Sequence, residues 1–154
     1  MKKEENPIDF ESSLGPWLGK TVKMVEYHMQ ELFKKNGLDL TKEQMVVLKK
    51  LHEKNGMSQN ELARLTFRDK SSLARLLSKM EKKMYIFRTP DETDKRVNQV
   101  FLTPKGIEMM QRARPIIKNM IQNMEQGVSL SEKQLIIQTL KKVQHNINSS
   151  IESL

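Results

Sequence analysis

The chain contains no cysteine. That excludes disulfides, thiolate metal sites and thiol redox switching. No apolar run approaches the roughly 20 residues of a membrane-spanning helix. No Gly-rich phosphate loop, metal-ligand set or nucleophile motif is present, which argues against an enzyme. His28, His52 and His145 have no supporting ligand cluster around them, so neither a zinc site nor a bound cofactor is expected. The opening MKKEENPIDFESS has no apolar core of signal-peptide length and reads as a loose polar arm up to Glu11. With 154 residues, the expectation is one domain with a substantial core, cytoplasmic and with no membrane partner.

What the chain has in excess is positive charge. Lys and Arg number 27 against 19 Asp and Glu, a formal charge of +8 and a pI near 9.7. Such a balance favours a polyanion as partner, nucleic acid ahead of an anionic membrane. The excess is local. Between Ser58 and Lys105 stand 11 basic residues and 6 acidic ones, so under a third of the chain carries most of the net charge. A Lys-rich surface can also be merely solvated, and charge alone does not choose between the two.

Periodicity supplies the organisation. Leu14, Leu18, Val22, Val25, Met29, Leu32 and Phe33 predict a helix from Ser12, with Pro16 tolerated near its start and Asn36-Gly37 ending it. Three later starts share one capping grammar. Thr41 pairs with Gln44, flanked by Leu40 and Met45; Ser58 pairs with Glu61, flanked by Met57 and Leu62; Ser131 pairs with Gln134, flanked by Leu130 and Leu135. They predict helices over about 42–54, over about 59–65, and from 132 to near the C-terminus. The last carries Leu135, Leu140, Val143, Ile147, Ile151 and Leu154 on one side. Asp69 is the cap candidate of a further helix, whose inward stripe is Leu73, Leu76, Leu77 and Met80. The period then changes. Tyr85-Ile86-Phe87 and Val97 to Leu102 are β-prone, and Pro90-Asp91-Glu92-Thr93-Asp94-Lys95 between them is a charged turn. Thr103-Pro104 restarts helix to about Gln126, with Pro115 predicting a kink and Gly127 a stop.

Short helix, tight turn, second helix and charged hairpin form the layout of a winged helix-turn-helix, which places one helix in the DNA major groove. The fold class expected is mainly α with a small β-wing: a winged helix-turn-helix core plus a helical dimerisation domain, six helices and a β-hairpin. In one domain over residues 1–154, segments 12–36 and 104–154 supply dimerisation helices and 41–103 the DNA-binding lobe. Three long amphipathic helices exceed what a small winged core needs, so stripes from two chains are expected to close on each other as a homodimer. The alternative is that these helices cap their own monomer.

The surfaces expected to touch a double-stranded DNA operator follow from helical spacing. With Leu73, Leu76, Leu77 and Met80 inward, Lys70, Ser71, Ser72, Arg75 and Lys79 lie on the outer or leading face. The planar fork of Arg75 suits guanine O6 and N7, and the serine hydroxyls can donate to phosphate or base edges. Ser58 and Gln59 could hold a phosphate at the start of the short helix. In the wing, Asp94 and Arg96 are expected to share one face of an extended ribbon, the carboxylate orienting the guanidinium for a minor groove, with Lys95 a phosphate contact. The competing readings are first-turn helix chemistry for the serines, and solvated residues or a surface ion pair for the others.

These residues together resemble the MarR family of bacterial transcriptional regulators. The resemblance rests on Glu61-Leu62-Ala63, Asp69-Lys70-Ser71-Ser72, Arg75, Met80-Glu81-Lys82-Lys83, Arg88, Asp94-Lys95-Arg96 and Leu102-Thr103-Pro104-Lys105-Gly106, in order from about residue 12 onward. It implies a triangular homodimer, binding to a palindromic operator, usually repression, and release by a small aromatic or phenolic effector lodged between dimer helices and winged lobe. One departure is Met84, where the family often has Gly. Possible walls of an effector pocket are Trp17, Met24, Tyr27, His28 and His52, although apolar residues at helical spacing are more often core. A winged-helix module that binds protein without sequence-specific DNA binding is the other reading, and the basic surface argues against it.

Overall fold

A computed structural model describes residues 7–152. The first six residues of the expected arm, the side chain of Ile151 and all of Leu154 lie outside the described residues. The elements are α1 (Leu14–Lys35), α2 (Lys42–Glu53), β1 (Met57–Ser58), α3 (Gln59–Leu65), α4 (Lys70–Lys82), β2 (Ile86–Pro90), β3 (Asn98–Leu102), α5 (Pro104–Met124) and α6 (Leu130–Glu152). This is the expected mainly α fold, with one difference in the sheet. It has three antiparallel strands in the order β1-β3-β2, not a hairpin alone. The added strand is only two residues long and overlaps the cap of α3, too short to show a period of its own. Met57 pairs with Val100 and Ser58 with Gln99, while Ile86 pairs with Leu102 and Pro90 with Asn98.

Caps explain where helices begin. Thr41 and Gln44 form the full reciprocal box, with Thr41 Oγ1 accepting from Gln44 N and Gln44 Oε1 accepting from Thr41 N, each at 3.2 Å. At α3 only half the expected box exists. Ser58 Oγ accepts from Glu61 N at 3.1 Å, but the Glu61 carboxylate turns to Lys54 Nζ. At α6 the expected Ser131 cap is corrected: Ser129 Oγ accepts from Glu132 N at 3.1 Å, and the Glu132 carboxylate accepts from Ser129 N at 2.7 Å. Both serines fit the spacing. The carboxylate wins over the Gln134 amide because a negative charge at a helix start also meets the positive end of the helix dipole. α5 runs unbroken through Pro115, whose missing N–H leaves the Gln111 carbonyl without its helical donor.

Helices α1, α3 and α4 share one ending. In each, two backbone amides fold back on the last turn and the intervening residue is left-handed. In α1 it is Gly37, with Leu38 N bonded to Phe33 O. In α3 it is Phe67 at φ 52°, with Arg68 N bonded to Ala63 O. In α4 it is Met84 at φ 62°, with Tyr85 N bonded to Met80 O. Met84 therefore makes the turn expected of glycine, and that turn delays β2 to Ile86.

The chain divides into two compact units at the Lys118–Asn119 bond, inside α5. The first holds a continuous apolar core. Phe33 from α1, Leu48 and Leu51 from α2, Leu62 from α3, Leu73, Leu77 and Met80 from α4, and Val100 of the sheet are fully buried, with Ile86 almost so. Gly106 completes the junction of α5 with this core. A Cβ there would stand 2.1 Å from Tyr85 O, so only glycine fits. Tyr85 is fixed in turn by its hydroxyl, which donates to Asp39 O at 2.6 Å. Burial is the main reason its phenol titrates above the ordinary tyrosine value.

Candidate nucleic-acid interface

Helix α4 is built to present one face. Asp69 Oδ1 accepts from Ser72 N at 2.7 Å, capping the first turn. The buried stripe turns Ser71, Arg75, Lys79 and Lys82 toward solvent, with Lys70 exposed at the leading end. Ser72 is half-buried; its hydroxyl accepts from Arg68 Nη1 at 3.0 Å. Ser58 and Gln59 are half-buried as well. The Ser58 hydroxyl is engaged as the α3 cap, and Gln59 Oε1 is buried with no partner. The structure therefore gathers Lys70, Ser71, Arg75 and Lys79 on one open surface. Ser58, Gln59 and Ser72 lie nearer the packing side.

In the wing, Asp94 and Arg96 pair, but in a turn rather than along an extended ribbon. Asp94 O accepts from Val97 N at 3.0 Å, and Asp94 Oδ1 accepts from both Arg96 N and Arg96 Nε at 3.1 Å. The expectation of an extended segment fails because the Asp94 carboxylate caps this turn. The Arg96 side chain is 90% exposed and is oriented by a carboxylate that it holds below the usual carboxylate range. Lys95 is exposed beside it. The wing is tied to α4 by a fork. Arg88 Nε and Nη2 reach the two Glu81 oxygens at 3.2 and 3.1 Å, and Nη2 also donates to Ser78 Oγ at 3.2 Å. This fork is the main reason Glu81 titrates below the ordinary glutamate value.

Two hollows adjoin these elements. A groove of about 910 Å³ between α1 and α2 is lined by Met24, Tyr27 and His28 together with Lys20, Lys23 and Lys42. Glu26 crosses it to Lys42 Nζ at 2.7 Å, and that bond holds Glu26 below the usual range. Of the five expected pocket walls it contains three. Trp17 lies elsewhere on α1, its Nε1 donating to Glu11 O at 2.6 Å, and His52 is exposed in the last turn of α2. No residue of α5 is in its lining. A smaller cleft of about 270 Å³ lies between α2 and α4, with Arg68, Ser72, Arg75 and Lys79 on one side and Thr41 and Glu43 on the other. Among the described residues no three metal-ligating side chains come together, and no helix is long and apolar enough to cross a membrane.

The model of the MarR family matches residues 40–97, the span from the loop before α2 to the wing. An uncharacterized HTH-type transcriptional regulator of Bacillus subtilis, YybA, is 30% identical over 115 residues, covering 75% of this chain and 77% of that protein. The chain belongs to the MarR family. It is thereby a member of a family of transcriptional regulators, not of enzymes. Solved MarR-type structures share its fold. A mutant MarR from E. coli complexed with operator DNA superposes with a TM-score of 0.73 at 25% identity, over 88% of this chain and 99% of that one. BpsR of Bordetella bronchiseptica, described with regulation of its DNA binding by 6-hydroxynicotinic acid, superposes at 0.80 with 22% identity, over 90% and 98%.

Within this MarR-type lobe the structure adds two basic residues, Arg68 and Arg88, to those that the sequence pattern marks for this surface. Arg68 was legible: 68, 72, 75 and 79 continue one helical face backward through the cap of α4. The bond from Arg88 to Glu81 joins strand to helix, and no local spacing reveals it.

Proposed function

We propose that the chain is a homodimeric, ligand-responsive repressor that reads a palindromic operator. The observation that carries the reading is the exposed face of α4. Lys70, Ser71, Arg75 and Lys79 stand in solvent on a helix that buries Leu73, Leu77 and Met80 on its other side. Arg75 reads a guanine edge in the major groove, and Arg96, oriented by Asp94, enters the flanking minor groove. Lys70, Lys79 and Lys95 take phosphates, Ser71 and Ser72 line the entry, and Ser58 and Gln59 place the start of α3 against the backbone. The operator complex solved for a relative supports DNA as the ligand of this face.

Two copies join through their terminal helices. Trp17, Met24 and Tyr27 on α1 and, separately, Leu135, Ile136 and Ile147 on α6 are large apolar side chains at least half exposed, and each set is a face that a second chain would cover. Two lobes then meet successive major grooves about 34 Å apart. The groove holding Met24, Tyr27 and His28 receives a small aromatic or phenolic effector that releases DNA; the regulation of BpsR by 6-hydroxynicotinic acid supports an aromatic ligand. Trp17 and His52 stand outside the groove and are left out of this role. A DNA-bound repressor acts in the cytoplasm.

The test is anisotropy with a duplex carrying the inverted repeat beside the protein's own gene. Arg75→Ala costs about 1–3 kcal/mol and relaxes preference at one base position. Arg96→Ala weakens binding only where the flank is narrow and A·T-rich. Wild-type binding by both variants would overturn the assignment of these surfaces.

A further inference from the structure

Some cations in this lobe are held by carboxylates. Lys42 meets Glu26, Lys54 meets Glu61, Lys83 meets Asp39, Arg88 meets Glu81 and Arg96 meets Asp94. The cleft between α2 and α4 instead gathers cations that no carboxylate holds. Arg68, Arg75 and Lys79 converge on about 270 Å³, and among the described residues none of the three forms an ion pair. Glu43 lines the cleft without bonding any of them. Three like charges gathered around a hollow repel one another unless an anion enters it.

We propose that this cleft is a seat for a phosphoryl oxyanion, with Arg68 as its inner ligand. The proposal rests on the DNA-binding reading for its expected occupant, a phosphate of the duplex backbone. Exposure orders the ligands. Arg68, Ser72 and Thr41 are half-buried and form the walls, whereas Arg75 and Lys79 are exposed at the rim. Arg68 is already turned into place by the Ser72 hydroxyl. That hydroxyl accepts one bond from Arg68, and Thr41 Oγ1 accepts one from Gln44 N. Each keeps its own proton to donate to an oxyanion. Arg68 would then anchor the register of α4 and leave Arg75 free for a base edge.

The test uses the full chain and two probes. The first is a mixed-sequence 30-base-pair duplex titrated over a KCl series. Arg68→Gln is expected to lower affinity about tenfold and to flatten the slope of log K against log salt by roughly 0.9 for each lobe bound. The second is inorganic pyrophosphate at matched ionic strength, read as a rise in melting temperature. Wild type is expected to show the rise, Arg68→Gln to lose it, and Glu43→Gln, which removes the one carboxylate, to enlarge it. A flattened slope identifies a duplex phosphate as occupant. An unchanged slope with a lost pyrophosphate shift identifies a free phosphorylated anion. If wild type ignored the duplex, the DNA reading would fail while the pyrophosphate arm still decided the cleft. Lys79→Gln, at the exposed rim, repeats both arms if Arg68→Gln folds poorly. An unchanged slope together with an unchanged pyrophosphate response would overturn the proposal.

Discussion

Helices α4 and α6 carry apolar stripes of similar period and meet opposite fates. On α4, Leu73, Leu77 and Met80 are 0% exposed; on α6, Ile136 and Ile147 are each 54% exposed. The first stripe finds its cover within the chain, from α2, α3 and the sheet. The second is covered only in part: Leu140 and Val143 are half-buried, while Ile136 and Ile147 stay open. Apolar periodicity thus reports that a helix face needs cover and is silent on what supplies it. In the winged lobe the answer is intramolecular. For the terminal helices the answer proposed above is a second copy.

The sharpest way to break the comparison is to disturb the lobe where it has no slack. Gly106→Ala drives a Cβ against the Tyr85 carbonyl, a backbone neighbour that cannot rotate away. It is expected to cost about 3 kcal/mol or more and to lower the melting temperature by roughly 6–12 °C. Calorimetry reads it, and an unchanged melting curve would refute the packing described at this junction.

The next largest effect belongs to the other side of the comparison. Ile136→Asp with Ile147→Asp is expected to weaken self-association by about 2–4 kcal/mol while the helical circular dichroism of the lobe persists. Sedimentation velocity reads it. Dimers of undiminished stability would show that the α6 stripe is covered by something else.

A smaller effect tests how the wing is held. The Arg88 fork lowers the pKa of Glu81, so its stabilisation is full above the ordinary glutamate value of 4.5 and is lost as pH falls through the lower folded value. Because the pair is partly exposed, it contributes about 1 kcal/mol or less. Glu81→Gln should therefore lose less stability than wild type between about pH 6 and pH 3. Equal losses would remove the fork from the account. The smallest change is a gain. Met84→Gly relieves a left-handed residue at the exit of α4 and is expected to stabilise the lobe by about 0.5–1 kcal/mol in urea unfolding.

Much of this fold was legible because its signals are local. The Thr41–Gln44 box, the Asp69 cap and the Thr103-Pro104 start each act within one helical turn, and the inward stripe of α4 follows from spacing alone. What escaped depends on residues far apart in sequence. Strand β1 exists because Met57 finds Val100, 43 positions later. At α6 two serines offered the same spacing, and only the Glu132 carboxylate distinguishes them. The open face of α4 was legible for the same reason as its stripe. Arg68 was missed because it lies before the cap, outside the helix proper. The groove walls were half legible: periodicity placed Met24, Tyr27 and His28 on α1, but it could not tell which turns of α1 face α2.

Sedimentation equilibrium of the full chain with a labelled duplex bearing an inverted repeat, over a KCl series, tests the central claim most directly. The account predicts two chains per duplex and an affinity that falls steeply with salt, with a log–log slope of about −5 or steeper. A single chain per duplex, or an affinity indifferent to salt, would contradict it.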